Sequence, residues 1–160
     1  TASATTNNIH PAVRTLLTTA VLLGLSTVFS WAGDGHPRWA GSGPVIKGYD
    51  AAGYHADGVA RPGSSAHTVV WAGSTFHFAT ADAADRFRAA SNSLAPRFGG
   101  YCTGGLSQGH VVDADPKLFR VYNGNLYVFA SPAGPKRFDK DPEGVIRAAR
   151  AHAQKVGVVE

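Results

Sequence analysis

Two stretches of alternating apolar and polar residues predict β-hairpins. In "HTVVWAGSTFHFA" two short runs rich in β-branched and aromatic residues meet at Gly73-Ser74. In "LFRVYNGNLYVFA" the dipeptide Asn123-Gly124 separates two similar runs, and this dipeptide is the preferred chemistry of a two-residue type I′ turn. Both patterns indicate antiparallel pairing of neighbouring strands.

Helical periodicity appears in two other stretches. "TADAADRFRAA" opens with Thr80 as the N-cap and carries acidic residues in its first turn. "DPEGVIRAARAHAQKV" begins with Asp141 as the N-cap and Pro142 at the first helical position, and its apolar residues follow one face. We therefore expect an α+β fold with one small antiparallel sheet, short helices and a C-terminal amphipathic helix. No internal repeat is evident in the sequence.

Residues 15–33, "TLLTTAVLLGLSTVFSWAG", form a long apolar stretch without a charged residue. About 17 to 25 such residues are enough to cross a bilayer. We expect a transmembrane signal anchor, with residues 1–14 as a cytoplasmic tail in which Arg14 holds the N-terminus on the cytoplasmic side. The alternative is a cleavable secretory signal peptide with "SWA" at its exit. Either interpretation places the rest of the chain outside the cytoplasmic membrane.

Residues 34–43, "DGHPRWAGSG", are rich in Gly, Pro and small polar residues and have no period, so we predict a linker. The folded domain is predicted to span residues 44–156.

Four segments of this region resemble YHS-domain proteins: "IKGYDAAGYHADG", "WAGSTFHFATADAADRF", "APRFGGYCTGGLSQG" and "DPKLFRVYNGNLYVF". Their order and spacing are similar to the bacterial exported branch, in which a signal or anchor sequence precedes one such domain. Some relatives in this family are attached to metal-transport ATPases or hydroxylases, so the resemblance implies metal or thiol chemistry. This chain departs from the cysteine-rich members because it has one cysteine, no CxxC, and His110 after "SQG".

The charge pattern narrows the classes of partner. The formal net charge is +4, but the basic residues are scattered and form no run of five. We therefore expect no nucleic-acid binding. A single cysteine excludes a disulfide within the chain and a zinc site built from several thiolates.

Cys102 lies in "RFGGYCTGG", among four glycines, and two interpretations of it stay open. A reactive thiol or metal ligand would need a helix N-terminus, a cation or a base nearby. A structural cysteine would be a small buried side chain, which is the common environment of a free thiol. We favour the structural interpretation.

A ligand pocket is a further hypothesis, since glycines allow a ligand to approach the backbone closely. Its candidate residues are Tyr49, Asp50, Tyr54, Gly100, Tyr101 and Cys102. The tyrosines would equally suit the edge of a core, with their hydroxyl groups in water.

No cofactor is predicted, and a transition metal is the alternative. The candidate metal ligands are Cys102, His110, His77 and His55. No HxH, HxxxH or HExxH spacing forces them together.

The sequence favours a non-catalytic role. We expect a single-pass accessory or docking subunit of a larger bacterial inner-membrane complex, respiratory or photosynthetic, with a periplasmic YHS-like domain. Its expected partners are the inner membrane and other membrane-protein subunits, and aromatic and arginine residues suited to such an interface are Trp39, Trp71, Arg97 and Tyr101. The alternative is a periplasmic small-ligand or transition-metal-binding domain that uses Cys102 and nearby histidines.

Overall fold

The computed structural model describes residues 38–158, and the predicted membrane anchor and cytoplasmic tail lie outside these residues. Six α-helices and four strands occur in the described part of the chain. In chain order they are α1 (Ala51–Asp57), β1 (Ser64–Trp71), β2 (Ser74–Phe78), α2 (Ala81–Ala89), α3 (Ser91–Leu94), α4 (Thr103–Leu106), β3 (Asp115–Tyr122), β4 (Asn125–Phe129), α5 (Ala133–Lys140) and α6 (Pro142–Val156). None of these helices is both long and apolar enough to cross a bilayer.

The strands form two separate two-stranded antiparallel sheets, β1 with β2 and β3 with β4. The α+β class is confirmed, but the expected single sheet is replaced by two. The hairpins do not pair with each other, and the outer edge of β4 is occupied by a nearby chain segment. There Pro96 and Cys102 form parallel bridges with Leu126 and Val128.

Both predicted hairpins are present. Asn123 and Gly124 form the second turn with φ values of 48° and 74°, as a type I′ turn requires. The first turn lies one residue earlier than predicted, at Ala72-Gly73 instead of Gly73-Ser74. Ala72 takes the left-handed conformation there, with φ 49°, although an alanine rarely adopts it.

The predicted helix starts are also confirmed. The Thr80 hydroxyl accepts a hydrogen bond from the Ala83 N–H at 3.1 Å, and Asp141 Oδ1 accepts one from the Gly144 N–H at 2.9 Å. Helix α1 was not among the helices that the sequence pattern predicted. Packing overrides the low helix propensity of its glycine.

A structural repeat that is not evident in the sequence runs through the domain. A tight turn, a helix, a hairpin and a second helix follow one another twice. The first copy contains the first tight turn (Val45–Gly48), α1, β1, β2 and α2, and the second contains the second tight turn (Arg97–Gly100), α4, β3, β4 and α5.

Both copies share an irregularity in strand pairing. In each hairpin the pairing skips between the first residue of the leading strand and the residue four positions later. The matching pairs are Ser64 with Phe78 and Thr68 with His77 in the first copy, and Asp115 with Phe129 and Phe119 with Val128 in the second. Because the bulge has the same position in both halves, we interpret it as a regular part of the fold.

The two tight turns also share their backbone conformation. Each has three successive residues with positive φ: Ile46, Lys47 and Gly48 in the first, and Phe98, Gly99 and Gly100 in the second. Left-handed backbone is uncommon for any residue except glycine, and more so for a β-branched one such as isoleucine. The repeat therefore resides mainly in backbone geometry, which is why the sequence pattern did not reveal it.

Strand β4 separates two hydrophobic clusters and is buried on both faces. Leu126 and Val128 belong to the cluster of the first copy, whereas Tyr127 and Phe129 belong to the cluster that packs under α5 and α6. Side chains alternate between the two faces of a strand, so one short strand serves both clusters.

Residues 38–40, which fall in the predicted linker, pack against the second tight turn. The Ala40 N–H donates a hydrogen bond to the Gly99 carbonyl at 2.8 Å. A Cβ atom on Gly99 would lie 1.8 Å from the Arg38 carbonyl oxygen. Only glycine allows this close approach.

We predict that Gly99→Ala destabilises the domain by about 2–4 kcal/mol, because it adds overpacking to left-handed strain. Gly58→Ala is the matched control. Gly58 also has positive φ, at 70°, but no atom lies within 4 Å of a Cβ placed on it, so we expect a loss of only about 1 kcal/mol. Urea unfolding of the full chain in detergent measures both, and equal losses would contradict the close approach.

Candidate functional site

Asp50 caps helix α1 and also binds the end of the first hairpin. Its carboxylate is buried, and Oδ1 accepts hydrogen bonds from the N–H groups of Ala52 and Gly53 at 2.9 and 3.0 Å. Oδ2 accepts a third from the Ala79 N–H at 3.1 Å, directly after β2. One side chain therefore joins a helix N-terminus to a strand end.

Cys102 has the same position in the second copy. Its Sγ accepts hydrogen bonds from the N–H of Gly105 at 3.2 Å and from the N–H of Ala130, directly after β4, at 3.1 Å. The side chain is 5% exposed. The sulfur thus replaces the Asp50 carboxylate as the acceptor that joins helix and hairpin, which agrees with a structural role for the thiol.

Cys102 also lines a surface pocket of about 250 Å³, together with His110 and Arg137. Two of the metal-ligand candidates, Cys102 and His110, therefore lie at the same pocket. No group of three His, Cys, Asp or Glu side chains within residues 38–158 is arranged to hold a metal ion. The pocket offers two ligands of the kind a transition metal prefers, and a cation beside them.

The other two metal-ligand candidates lie elsewhere. His77 is half-buried on the face of β2 opposite Phe76 and Phe78, as the strand alternation predicted. Its Nδ1 lies 3.2 Å from the position a Cβ on Gly48 would take. His55 is half-buried on α1, and its Nε2 is buried without a hydrogen-bond partner.

Tyr54 is part of the core. Its hydroxyl donates to the Pro116 carbonyl at 2.7 Å, and its ring packs edge-on against Phe119. Burial, with the nearby Tyr49, raises the pKa of the Tyr54 hydroxyl. Tyr49 itself is half-buried and packs against the cluster of the first copy.

The remaining pocket candidates separate in space. Tyr101 is buried, and its hydroxyl lies 3.5 Å from the Trp39 carbonyl. Gly100 lines a different pocket, of about 260 Å³, with Lys47 and Asp113. The six residues predicted for one ligand pocket therefore do not line a common pocket. Cys102 and Gly100 line two different pockets, and Tyr54 lies in the core.

A pair of clefts surrounds Trp71. The first, of about 40 Å³, is lined by Arg38 and Arg97 together with Trp39, Trp71 and Asn92. The second is an open groove along residues 88–93 and shares Trp71 and Asn92 with the first. We call these two together the Trp71 clefts.

Aromatic packing fixes the walls of the Trp71 clefts. The ring centroids of Trp39 and Trp71 are 5.9 Å apart, and the Trp39 indole Nε1–H donates to the Ala72 carbonyl at 3.0 Å. Trp71 packs edge-on against Phe87 in the core. The Arg38 guanidinium lies over the Trp39 ring, 5.6 Å from its centroid. The sequence marked Trp39, Trp71 and Arg97 as suited to an interface but gave no sign of Asn92, because only the fold brings α3 beside them.

Comparisons with known proteins add no relative. No family model matches the chain, no curated protein matches it, and no solved structure matches it. The molecule is therefore defined by its own features: an α+β domain of two repeated halves, each joined by one buried acceptor, with the Trp71 clefts on its surface.

We predict that Cys102→Ala destabilises the domain by about 2 kcal/mol, because the N–H groups of Gly105 and Ala130 lose their acceptor. Cys102→Ser restores an acceptor and should lose less. Thermal unfolding of both variants measures the difference. Equal losses would show that the sulfur acts by volume alone.

We predict that the protonation of His55 destabilises the domain in acid. Burial lowers the pKa of His55 below its ordinary value of 6.5, partly opposed by a hydrogen bond to the Leu94 backbone. As the pH falls below 6.5, His55 binds a proton in the unfolded chain but stays neutral in the folded chain. The free energy of unfolding therefore decreases until the pH reaches the lower pKa that His55 has in the folded chain. Urea unfolding between pH 7.5 and 5 should show this loss, and His55→Gln should reduce it. An unchanged pH profile in the variant would assign the loss to other groups.

Proposed function

We propose that this chain is a non-catalytic docking subunit of a larger bacterial inner-membrane complex, respiratory or photosynthetic. In this proposal residues 15–33 anchor it, the N-terminus is cytoplasmic and the folded, YHS-like domain is periplasmic. Its partners are other membrane-protein subunits.

The Trp71 clefts are the observation that carries the docking proposal. Tryptophan and arginine are the residues most enriched among those that dominate binding energy at protein interfaces. Here two half-buried tryptophans lie beside Arg38 and Arg97 in clefts open to solvent. Rigid aromatic side chains held by the core bind without a large loss of conformational entropy.

The hydrogen bonds of the buried polar side chains support a non-catalytic role. A catalytic group must be free to exchange protons or attack a substrate. The Asp50 carboxylate, the Tyr54 hydroxyl and the Cys102 thiol are each bonded to backbone groups that the fold depends on.

A second candidate is a periplasmic small-ligand or transition-metal-binding domain. The observation that favours it is the pocket shared by Cys102, His110 and Arg137. It predicts a bound ligand or metal that is lost in Cys102→Ser at unchanged stability.

We predict that Trp71→Ala removes stoichiometric partner subunits from the chain when it is purified from native membranes in mild detergent. The tryptophan would supply a large buried contact at the centre of the interface. Asn92→Tyr should act similarly, because Asn92 is exposed and lines both clefts without being part of the core.

Gln108→Tyr is the matched control, since Gln108 is also exposed but lines the Cys102 pocket. It should retain the partners. Intact-mass and metal analysis of each preparation complete the test. Partners retained in both cleft variants would overturn the proposal, and a metal lost on Gln108→Tyr would favour the second candidate.

A further inference from the structure

The Trp71 clefts carry positive charge that the described part of the chain does not neutralise. Arg38 is exposed, and neither it nor Arg97 forms an ion pair with another residue of the 38–158 region. Arg97 instead donates from Nε, at 2.8 Å, and from Nη2 to the neutral amide oxygen of Asn125. Its guanidinium is therefore held in place while its charge stays available.

Acidic side chains are missing from the lining of the Trp71 clefts within residues 38–158. The lining contributes three arginines, Arg38 and Arg97 in the first cleft and Arg88 in the second. Arg88 is partly neutralised by Asp85, whose carboxylate lies 2.6 Å away. The pocket beside Gly100 differs, because there Lys47 is accompanied by Asp113.

The first cleft has the size of one small polar group. Its volume of about 40 Å³ exceeds the roughly 10–15 Å³ that a cavity needs to hold one water molecule, so a small polar group can enter it. A guanidinium has five N–H donors, and Asn125 uses two of those of Arg97. A carboxylate between Arg38 and Arg97 would accept the remaining donors, in the charge-assisted geometry that favours arginine.

The second cleft continues the same surface past Trp71. Its lining along residues 88–93 is exposed and polar apart from small alanines. An extended chain that places a carboxylate in the first cleft would cross the Trp71 ring and lie beside Arg88. This arrangement combines an apolar contact with charge pairing at both ends.

We propose that the Trp71 clefts bind an extended acidic segment of the partner, with an aspartate or glutamate carboxylate between Arg38 and Arg97 and an apolar side chain on Trp71. This inference rests on the proposed docking function and specifies the chemistry of the partner.

The test uses the full chain in detergent and a fluorescein-labelled ten-residue peptide of alternating glutamate and apolar residues, including phenylalanine. The comparison peptide has glutamine at every glutamate. Fluorescence anisotropy should show the acidic peptide bound at least about tenfold more tightly, with a preference that weakens as salt is added.

Three variants make the test specific. Arg38→Glu, on an exposed side chain, and Arg97→Met should each reduce affinity for the acidic peptide by about tenfold. Arg147→Met, on the exposed face of α6, is the control and should leave affinity unchanged. Thermal unfolding verifies that each variant is folded. If Arg97→Met does not fold, Arg38→Glu still tests the proposal.

The outcomes separate this inference from the docking proposal. Equal binding of both peptides, or no effect of the arginine variants, overturns the acidic partner, while native subunits lost on Trp71→Ala would still support docking. Failure of the peptide together with arginine-dependent binding to phosphatidylglycerol vesicles also overturns it and assigns the surface to lipid. Retention of native subunits in both Trp71→Ala and Asn92→Tyr overturns the docking function itself.

Discussion

Each half of the domain depends on one buried acceptor placed between a helix and a hairpin. Asp50 provides it in the first half and Cys102 in the second, and both accept from the helix N-terminus and from the residue after the last strand. Without an acceptor these backbone N–H groups would lose their hydrogen-bond partner, and an N–H left unsatisfied in the interior costs about 1–3 kcal/mol. A tight turn with left-handed backbone precedes the acceptor in both halves.

The halves diverge where they meet. In the second hairpin Leu126 and Val128 on β4 are fully buried against the first half. The corresponding residues of β2, Thr75 and His77, are half-buried and polar. A strand buried on both faces reads as a continuous apolar run, whereas a strand with one solvated face alternates. The polar residues of β2, at positions where β4 has apolar ones, are therefore explained by the lower burial of β2. No separate function for His77 is needed.

Local chemistry explains which parts of the fold the sequence could predict. Thr80, Asp141 and Asn123-Gly124 act on backbone groups within a few residues, and the elements they predicted are present. The separation into two sheets, the repeat and helix α1 depend on contacts between distant segments, which no local pattern encodes. The site behaves similarly: Trp39 and Trp71 were recognisable by residue type, whereas Asn92 joins them only through the packing of α3.

The buried polar side chains and the side chains that line the clefts have different roles in this domain. Buried polar groups must be hydrogen-bonded, and in this domain Asp50, Tyr54 and Cys102 meet that need by bonding to backbone. In the proposed docking function, recognition is carried out by side chains that the core orients but does not enclose. Trp71 is such a side chain, because one part of its ring packs on Phe87 while another lines the open clefts. The proposed anionic partner with an apolar group follows from this combination of a rigid aromatic wall with arginines that have no ion-pair partner among residues 38–158.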